Sequence, residues 1–380
     1  MTEEKGFKLD TAALRAYTMI LALAGIWLFF HYKTGGIFLT PRNLSNLMIQ
    51  TSVTGVLAVG MLMVIVSGNI DLSVGSVIGL AGGIMAVLLT NQGWGLGPAL
   101  LAAVLLSMAI GVFNGVLVAY AQIPAFIVTL GGLLAWRGAI KGLTAGETIP
   151  IALAPFKAIG QQYIPLSVGW AIAGLALIAL IAAALARVRG ARKHGLAGIS
   201  AGQQILGVAL PALGILAFIY MMNSYQGVPI PVLIFLIVAL LGAFITQYTT
   251  FGRYLYAIGG NPDAARLSGI NIRHHIVLVY CLLGALVGIA AMIYTARVGS
   301  ASPDAGVLKE LDAVAACVIG GASLMGGRGT VFGACLGALI MASLDNGMSL
   351  LNVQDYLQDI IKGSILVAAV GLDMIGRKRG

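Results

Sequence analysis

Charged side chains are scarce in this sequence. They make up 9% of its 380 residues, with 22 Lys and Arg against 13 Asp and Glu. Hydrophobic residues make up 59%, and the mean hydropathy is +0.98. Because soluble domains contain roughly 45–50% apolar residues, this balance excludes an ordinary soluble protein and predicts an integral membrane protein, with the lipid bilayer as its first partner.

The few basic residues are placed beside apolar stretches. The formal net charge is +9, and basic clusters stand at 187–194 (RVRGARKH) and 377–380 (RKRG). A positive balance can indicate nucleic-acid binding, but Lys and Arg next to apolar spans typically lie on the cytoplasmic side of a membrane. We therefore predict cytoplasmic anchors and no nucleic-acid partner.

Cysteine and histidine are also rare, and neither shows the spacing of a metal site. The three cysteines lie inside apolar runs without a CxxC pair, which predicts small buried side chains. We predict no metal site. The residues concerned are Cys281, Cys317, Cys335, His31, His194, His274 and His275.

The sequence contains no Gly-Lys dipeptide and so has no phosphate-binding loop of the Walker A type. The run at 327–333, GRGTVFG, superficially resembles a dinucleotide-binding fingerprint, but no strand precedes it and no βαβ pattern surrounds it. We predict that this chain binds no cofactor, and that any energy from ATP comes from another polypeptide.

Long apolar stretches make up most of the chain. Only helices or closed barrels satisfy the backbone in lipid, and continuous apolar runs favour helices. We predict an all-α integral membrane protein with one transmembrane domain, 1–380, a retained first helix, and about 12 transmembrane helices of about 20 residues. The predicted segments are 14–32, 47–66, 72–90, 98–118, 124–142, 168–187, 204–222, 231–247, 275–296, 313–325, 329–345 and 357–374.

An even number of spans places both termini on one side of the membrane. If that side is the cytoplasm, the basic stretches 187–193, 251–275 and 377–379 are all inside. The connections 143–165 and 298–312, with mixed or acidic charge, are then outside. Since cytoplasmic loops carry an excess of Lys and Arg, we predict cytoplasmic termini.

Two stretches of the sequence resemble each other. Residues 58–79 align with 313–333 with a one-residue gap: each has an apolar run, a Gly- and Ser-rich break, and a Gly-Ser/Thr-Val-x-Gly start of the next span. Both copies begin in the same direction in the predicted topology, which indicates a parallel internal repeat. The alternative is coincidence between Gly-rich stretches.

The breaks in these stretches are candidate parts of a transport pathway. An interrupted membrane helix exposes backbone groups, which must face protein or a water-filled cavity. A second interpretation is that Asp71 and Ser73 cap the third helix at the membrane surface. The pathway or hinge candidates are Asn69, Asp71, Ser73, Gly75, Gly326 and Gly327.

Polar residues are concentrated in one connection, 251–273. Asn261 suits a helix N-cap, Pro262 the first helical position and Gly269 the C-terminal stop, so the sequence predicts a helix of about two turns. Asp263 complements the helix dipole. Because so short a helix is marginal in water, we expect it to pack against a partner.

The middle of this helix indicates the kind of partner. Ala264 and Ala265 leave little side chain, and Arg253 and Arg266 flank them, which suits a groove on a soluble cytoplasmic protein. The alternative, a helix resting on lipid headgroups, would need a larger apolar face. The candidate contact residues are Gly252, Arg253, Gly259, Gly260, Asn261, Pro262, Asp263, Ala264, Ala265, Arg266, Ser268 and Gly269.

A transporter that uses ATP on another polypeptide has two alternatives among membrane proteins. An ion-coupled secondary transporter would favour carboxylates deep in spans, but nearly all acidic residues lie at termini, in loops or at helix ends, with Asp71 and Asp345 as doubtful cases. A membrane enzyme or receptor would need a catalytic constellation or a soluble domain, and the sequence contains neither.

Several motifs together resemble one family. In order, GVLAVGM, SGNIDLSVGS, FGRYLYAIGGNPDAARLSGIN, ELDAVAACVIGGASLMGG and DNGMSLL are similar to landmarks of the permease subunits of bacterial sugar ABC importers, the ribose/xylose/arabinose group. One departure is Asn69 before Ile70-Asp71, where the family has Gly or Glu. The chain looks most like the D-xylose type, because the ribose type lacks the extra hairpin around 187–222.

The resemblance implies the ABC importer permease fold in the bacterial inner membrane. It implies a homodimer with one translocation pathway for a monosaccharide such as D-xylose, two cytoplasmic ATPase subunits that hold ATP and Mg, and a periplasmic sugar-binding protein. It also implies that 251–273 is the segment coupled to the ATPase. This chain would then carry out no covalent chemistry.

Overall fold

The structure is a computed structural model that describes residues 11–193 and 201–377. These residues form fifteen helices and two short strands. The first half consists of α1 (Thr11–Lys33), α2 (Pro41–Val66), α3 (Val74–Ala86, extended by a π-helical turn, Val87–Asn91), α4 (Leu96–Ala119), α5 (Ala125–Thr144), β1 (Ile149–Pro150), α6 (Ala154–Gln161) and α7 (Leu166–Lys193). The second half consists of α8 (Ala201–Asn223), α9 (Ile230–Tyr248), α10 (Thr250–Gly260), α11 (Pro262–Leu267), α12 (Ile272–Val298), β2 (Ser300–Ala301), α13 (Lys309–Ile319), α14 (Val331–Leu350) and α15 (Asp355–Arg377).

Within those ranges, eight helices are long and apolar enough to cross a membrane. They are α2, α3 with its π-helical extension, α4, α5, α7, α9, α12 and α14. The prediction of a helical membrane protein is confirmed. Each of the twelve predicted segments overlaps a helix, but one of these helices, α13, is too short to be a span, and the predicted count of twelve spans is not confirmed. Both termini and part of the basic stretch 187–194 lie outside the described residues.

α13 differs from its prediction, because it is too short to be a span. It has 11 residues, a length of about 16 Å, whereas the hydrocarbon core is about 30 Å thick. The helix stops at Gly320, and Gly321 follows with φ of +86°. The apolar stretch predicted at 313–325 is therefore a half-length helix followed by a turn.

α2 is the centre of the bundle. The most apolar 18-residue window of this helix is 94% buried, and α9, α12, α13 and α14 surround it. α12 also packs along α4 through glycines: β-carbons at Gly284 and Gly288 would lie 2.9 Å from the Met108 Cα and 2.8 Å from the Val104 Cα. Such close backbone approach is how small residues hold membrane helices together.

The two ends of the bundle carry different elements. At one end, β1 pairs antiparallel with β2, with Ile149 opposite Ala301, and α6 packs against the end of α12. The opposite end carries α10, α11 and the breaks after α2 and α13. The connection predicted to bind a partner is thus on the other end of the molecule from the strand pair.

The connection after β2 enters the bundle instead of staying outside it. The Arg137 guanidinium of α5 donates hydrogen bonds of 2.7 Å to the carbonyls of Pro303 and Ala305. Glu310 and Asp312, which follow, are 7% and 2% exposed. The prediction that 298–312 is an outer loop is therefore wrong for its second half. Its acidic residues resemble a loop in sequence because part of what surrounds them, such as Lys362 beside Asp312, is distant in the chain.

Four charged residues form a partly buried network between α13, α14 and α15. Lys309 lies 2.6 Å from Asp312, and Lys362 lies 2.7 Å from Asp345. Longer contacts of 3.4 Å and 3.7 Å join each lysine to the other carboxylate. Two positive and two negative charges balance, which is how ionisable residues are tolerated inside a membrane protein. Asp345, a doubtful acid in the sequence, is therefore paired.

We predict that Lys362→Met lowers the free energy of unfolding by about 3 kcal/mol, because it leaves two carboxylates to share one lysine. We expect a loss at the low end of the range for a broken buried ion pair, because the Lys362 side chain is 17% exposed. The measurement is chemical unfolding of the purified protein in detergent. Adding Asp345→Asn restores the charge balance and should recover part of the loss; no recovery would contradict an electrostatic role.

Candidate functional site

A short helix with two specified ends lies in the polar connection. The Asn261 side-chain oxygen accepts a hydrogen bond of 3.0 Å from the Ala264 amide, and Pro262 occupies the first helical position. The helix ends at Leu267, and Gly269 follows with φ of +82°, a left-handed conformation that favours glycine. The predicted start and stop of this helix are confirmed.

The outer face of α11 is open. Asp263, Ala264 and Ser268 are exposed. Leu267 is 89% exposed, although burial of a leucine side chain is worth about 1.5–3 kcal/mol. Leu267 therefore has more to gain from a covering partner than any of its polar or small neighbours, and the sequence did not single it out.

Ala265 does not belong to this open face. It is 4% exposed and packs into the main hydrophobic core of the protein. Successive helical residues point about 100° apart, so Ala264 faces out while Ala265 faces in. The expectation that both alanines face a partner is wrong, because α11 uses Ala265 to pack on its own chain.

A tight corner joins α9 to α10. The Thr249 hydroxyl caps α10 by accepting a hydrogen bond of 3.1 Å from the Gly252 amide. A β-carbon at Gly252 would lie 2.6 Å from the Thr246 Cα, so only glycine permits this approach. Arg253, the next residue, is exposed to solvent.

The end of α10 meets both helix breaks at what we call the glycine junction, formed by Val66, Gly259, Gly326 and Gly327. The Gly327 amide donates a hydrogen bond of 2.9 Å to the Val66 carbonyl, which joins the end of α2 to the turn after α13. A β-carbon at Gly326 would lie 2.8 Å from the Gly259 carbonyl oxygen, and one at Gly259 would overlap the Val66 carbonyl oxygen. Main chain therefore contacts main chain with no side chain between.

Two further contacts join α10 to the same turn. The Tyr256 hydroxyl donates a hydrogen bond of 2.7 Å to the Gly329 carbonyl. A β-carbon at Gly327 would lie 2.8 Å from the Gly260 Cα, so this side of Gly260 is in close contact with the turn. A β-carbon at Gly260 would point into open space, with nothing within 4 Å. Gly259, Gly260, Gly326 and Gly327, predicted as members of two separate groups, are neighbours in space.

The two similar stretches share a local order at this junction. In each, a helix ends, a left-handed glycine follows (Gly68, φ +84°; Gly321, φ +86°), and a break leads to the next helix. The copies differ in where that helix begins, since α14 begins at Val331, which aligns with Val77, whereas α3 begins at Val74. The parallel repeat as a whole stays a prediction.

The break after α2 holds a buried polar cluster. Asp71 and Ser73 are 3% and 1% exposed, and one Asp71 oxygen accepts hydrogen bonds from the Ser73 amide at 2.7 Å and hydroxyl at 2.6 Å. The Asn114 amide of α4 donates to the Ser73 hydroxyl at 3.1 Å. The alternative that Asp71 and Ser73 cap α3 at the membrane surface is wrong, because both are buried and the Ser73 side chain makes no capping bond.

Asn69 and Gly75 lie on either side of this cluster. Asn69 is half-buried, and its side chain donates to the Ser67 carbonyl at 3.3 Å. A β-carbon at Gly75 would overlap the Glu310 carboxylate and the Gly306 carbonyl oxygen. Gly75 therefore packs against the connection before α13 and against the first turn of that helix.

Besides Leu267, sequence reasoning missed Asn114, Tyr256 and Glu310. Asn114 left a usable signal, because it is a lone amide inside the apolar segment 98–118. Tyr256 and Glu310 left none, since their partners are more than 70 residues away. Within 11–193 and 201–377, no cluster of His, Cys, Asp and Glu could hold a metal ion.

Comparison with known proteins identifies the kind of molecule to which this site belongs. Residues 43–370 match the family described as branched-chain amino acid transport system / permease component. The chain belongs to this permease family. It is 46% identical to the xylose transport system permease protein XylH of Haemophilus influenzae, over 98% of this chain and all of that protein.

Other relatives are also named as permeases. The XylH protein of Escherichia coli K12 is 46% identical over 98% of this chain and 94% of its own length. The ribose import permease protein RbsC of the same strain is 37% identical over 88% of this chain and 87% of its own length. No solved structure matches the chain.

We predict that Gly259→Ala lowers the free energy of unfolding by about 1–3 kcal/mol, the usual cost of forcing an extra carbon into a packed site. Gly260→Ala is the matched control on the same helix: its β-carbon has open space, and alanine favours a helix by up to about 1 kcal/mol over glycine. Thermal unfolding in detergent compares the two. Equal effects would mean that the junction is not tightly packed.

Proposed function

We propose that this protein is the membrane-spanning permease subunit of an ABC importer that carries a monosaccharide, D-xylose or another pentose, into the cytoplasm. Support comes from the two relatives that are named xylose permeases and are 46% identical over nearly the whole chain. The ribose permease is a more distant relative. None of these names supports the alternative of an ion-coupled secondary transporter.

The glycine junction is the observation that carries the mechanism. The α10–α11 segment presents Leu267 outward and contacts both helix breaks inward through Gly259. A shift imposed on α11 reaches the breaks through main-chain contacts, where no flexible side chain can absorb it. Domain and helix movements of this kind convert a local push into a change of packing.

The proposed assembly contains partners that supply energy and substrate. Two copies of this chain form one pathway, two cytoplasmic ATPase subunits hold ATP and Mg, and a periplasmic binding protein delivers the sugar. The permease lies in the bacterial inner membrane with both termini in the cytoplasm. The residues at the break after α2 line or shape this pathway. They are Asn69, Asp71, Ser73 and Gly75.

We expect uptake of D-xylose into proteoliposomes only when this permease, its ATPase and the loaded binding protein are all present. In the same system, Leu267→Ala should weaken ATPase binding by about 10- to 30-fold, roughly 1.5–2 kcal/mol, because an exposed anchor is truncated. Leu267→Met keeps the side-chain volume and serves as the control. Uptake by the permease alone would overturn the function, and unchanged binding of the Leu267→Ala variant would overturn the contact.

The orientation predicts different labelling at the two ends of the bundle. In a background without native cysteines, Ser268→Cys should resist an impermeant maleimide added to intact spheroplasts lacking the ATPase, and should react after permeabilisation. Glu147→Cys, exposed beside the strand pair, should react in both cases. The reverse pattern would invert the topology.

A further inference from the structure

A cleft of about 990 Å³ opens at the end of the bundle that carries α10 and α11. It lies between the end of α4, the end of α10, α11 and the start of α12. Its lining includes Asn69, Gln122, Arg266, Asn271, Arg273 and Met325. The lining therefore combines residues of the helix break with residues of the proposed coupling segment.

The charge of the cleft is positive and unbalanced. Arg266 and Arg273 both line it, and no Asp or Glu is among the lining residues. Neither guanidinium has a hydrogen bond or an ion pair with any part of the chain that the structure describes. The Arg273 guanidinium lies 5.7 Å from the centre of the Tyr120 ring, which fixes its position beside α4. Two arginines without acidic partners are suited to a phosphate group, which the planar guanidinium binds through two hydrogen bonds.

The surroundings of the cleft indicate the source of that phosphate. The cleft lies where two membrane helices end, α4 at Ala119 and α12 at Ile272. The nearby turns of these helices expose apolar side chains: Val116 and Leu278 are each 40% exposed, and Tyr120 is 56% exposed. Tyrosine is typical of the membrane interface. A cationic cleft directly above exposed apolar helix surface matches a lipid, with its headgroup in the cleft and its chains along the helices.

We propose that this cleft binds the phosphate-bearing headgroup of an anionic phospholipid through Arg266 and Arg273. The inference rests on the proposed function only in placing this end of the bundle at the cytoplasmic leaflet, where anionic lipids attract basic pockets between helices. Arg266 belongs to α11 and Arg273 to α12, and Asn69 belongs to the break after α2. The headgroup therefore bridges α11 and the start of α12 beside that break, and its occupancy fixes the spacing of the two helices.

The experiment measures lipid binding by the permease alone, without an ATPase or transport. Delipidated protein in detergent is titrated with phosphatidylglycerol or phosphatidylcholine, and native mass spectrometry counts bound lipid. We expect wild type to prefer phosphatidylglycerol, and the double variant Arg266→Gln/Arg273→Gln to bind it at least about tenfold more weakly. Arg189→Gln/Arg253→Gln is the control: it removes the same charge from exposed positions outside the cleft and should bind like wild type.

Two results would overturn the lipid site. Equal binding of phosphatidylglycerol by both double variants would show that the cleft arginines are not needed. Complete displacement of phosphatidylglycerol by millimolar inorganic phosphate would make the ligand a free ion. Matching thermal unfolding curves exclude misfolding of the variants. Because sugar uptake is not measured, a failed lipid site leaves the proposed function intact, and a failed uptake assay leaves the lipid result intact.

Discussion

A helix that ends inside the protein must have its last backbone groups satisfied by other parts of the chain, because an unpaired buried carbonyl is costly. α2 ends this way at Val66, which is 1% exposed and whose carbonyl accepts a hydrogen bond of 2.9 Å from Gly327 in the turn after α13. Two main chains this close leave no space for β-carbons, which explains the glycines at the contact. α10 approaches the same contact, and only glycine leaves room for it, because a β-carbon at Gly259 would overlap the Val66 carbonyl oxygen.

The features that could be predicted from sequence are those set by neighbouring residues. The bounds of α11 follow from Asn261, Pro262 and Gly269, each of which acts on backbone within a few positions of itself. The helical class follows from apolar run length for the same reason.

The features that could not be predicted depend on residues distant in the chain. The second half of 298–312 is acidic, and acidity alone indicates a loop in water. Only the fold brings Lys362 within 3.4 Å of Asp312 and makes a buried position acceptable. The two alanines of α11 are equally small in sequence, and only the packing of α11 on the core separates exposed Ala264 from buried Ala265.

The two ends of α13 are held by different interactions. In the transport mechanism proposed above, this difference decides which end of α13 moves. At its start, Lys309 and Asp312 belong to the four-charge network, and separating buried ions costs several kcal/mol. At its other end, the glycine junction consists mainly of van der Waals contacts, which are individually weak and separate no charge. In the proposed mechanism, a push from α10 would therefore displace the glycine end while the charged end stays fixed. A full-length span would be anchored at both membrane surfaces, whereas a half-length helix with one firm end tilts about it.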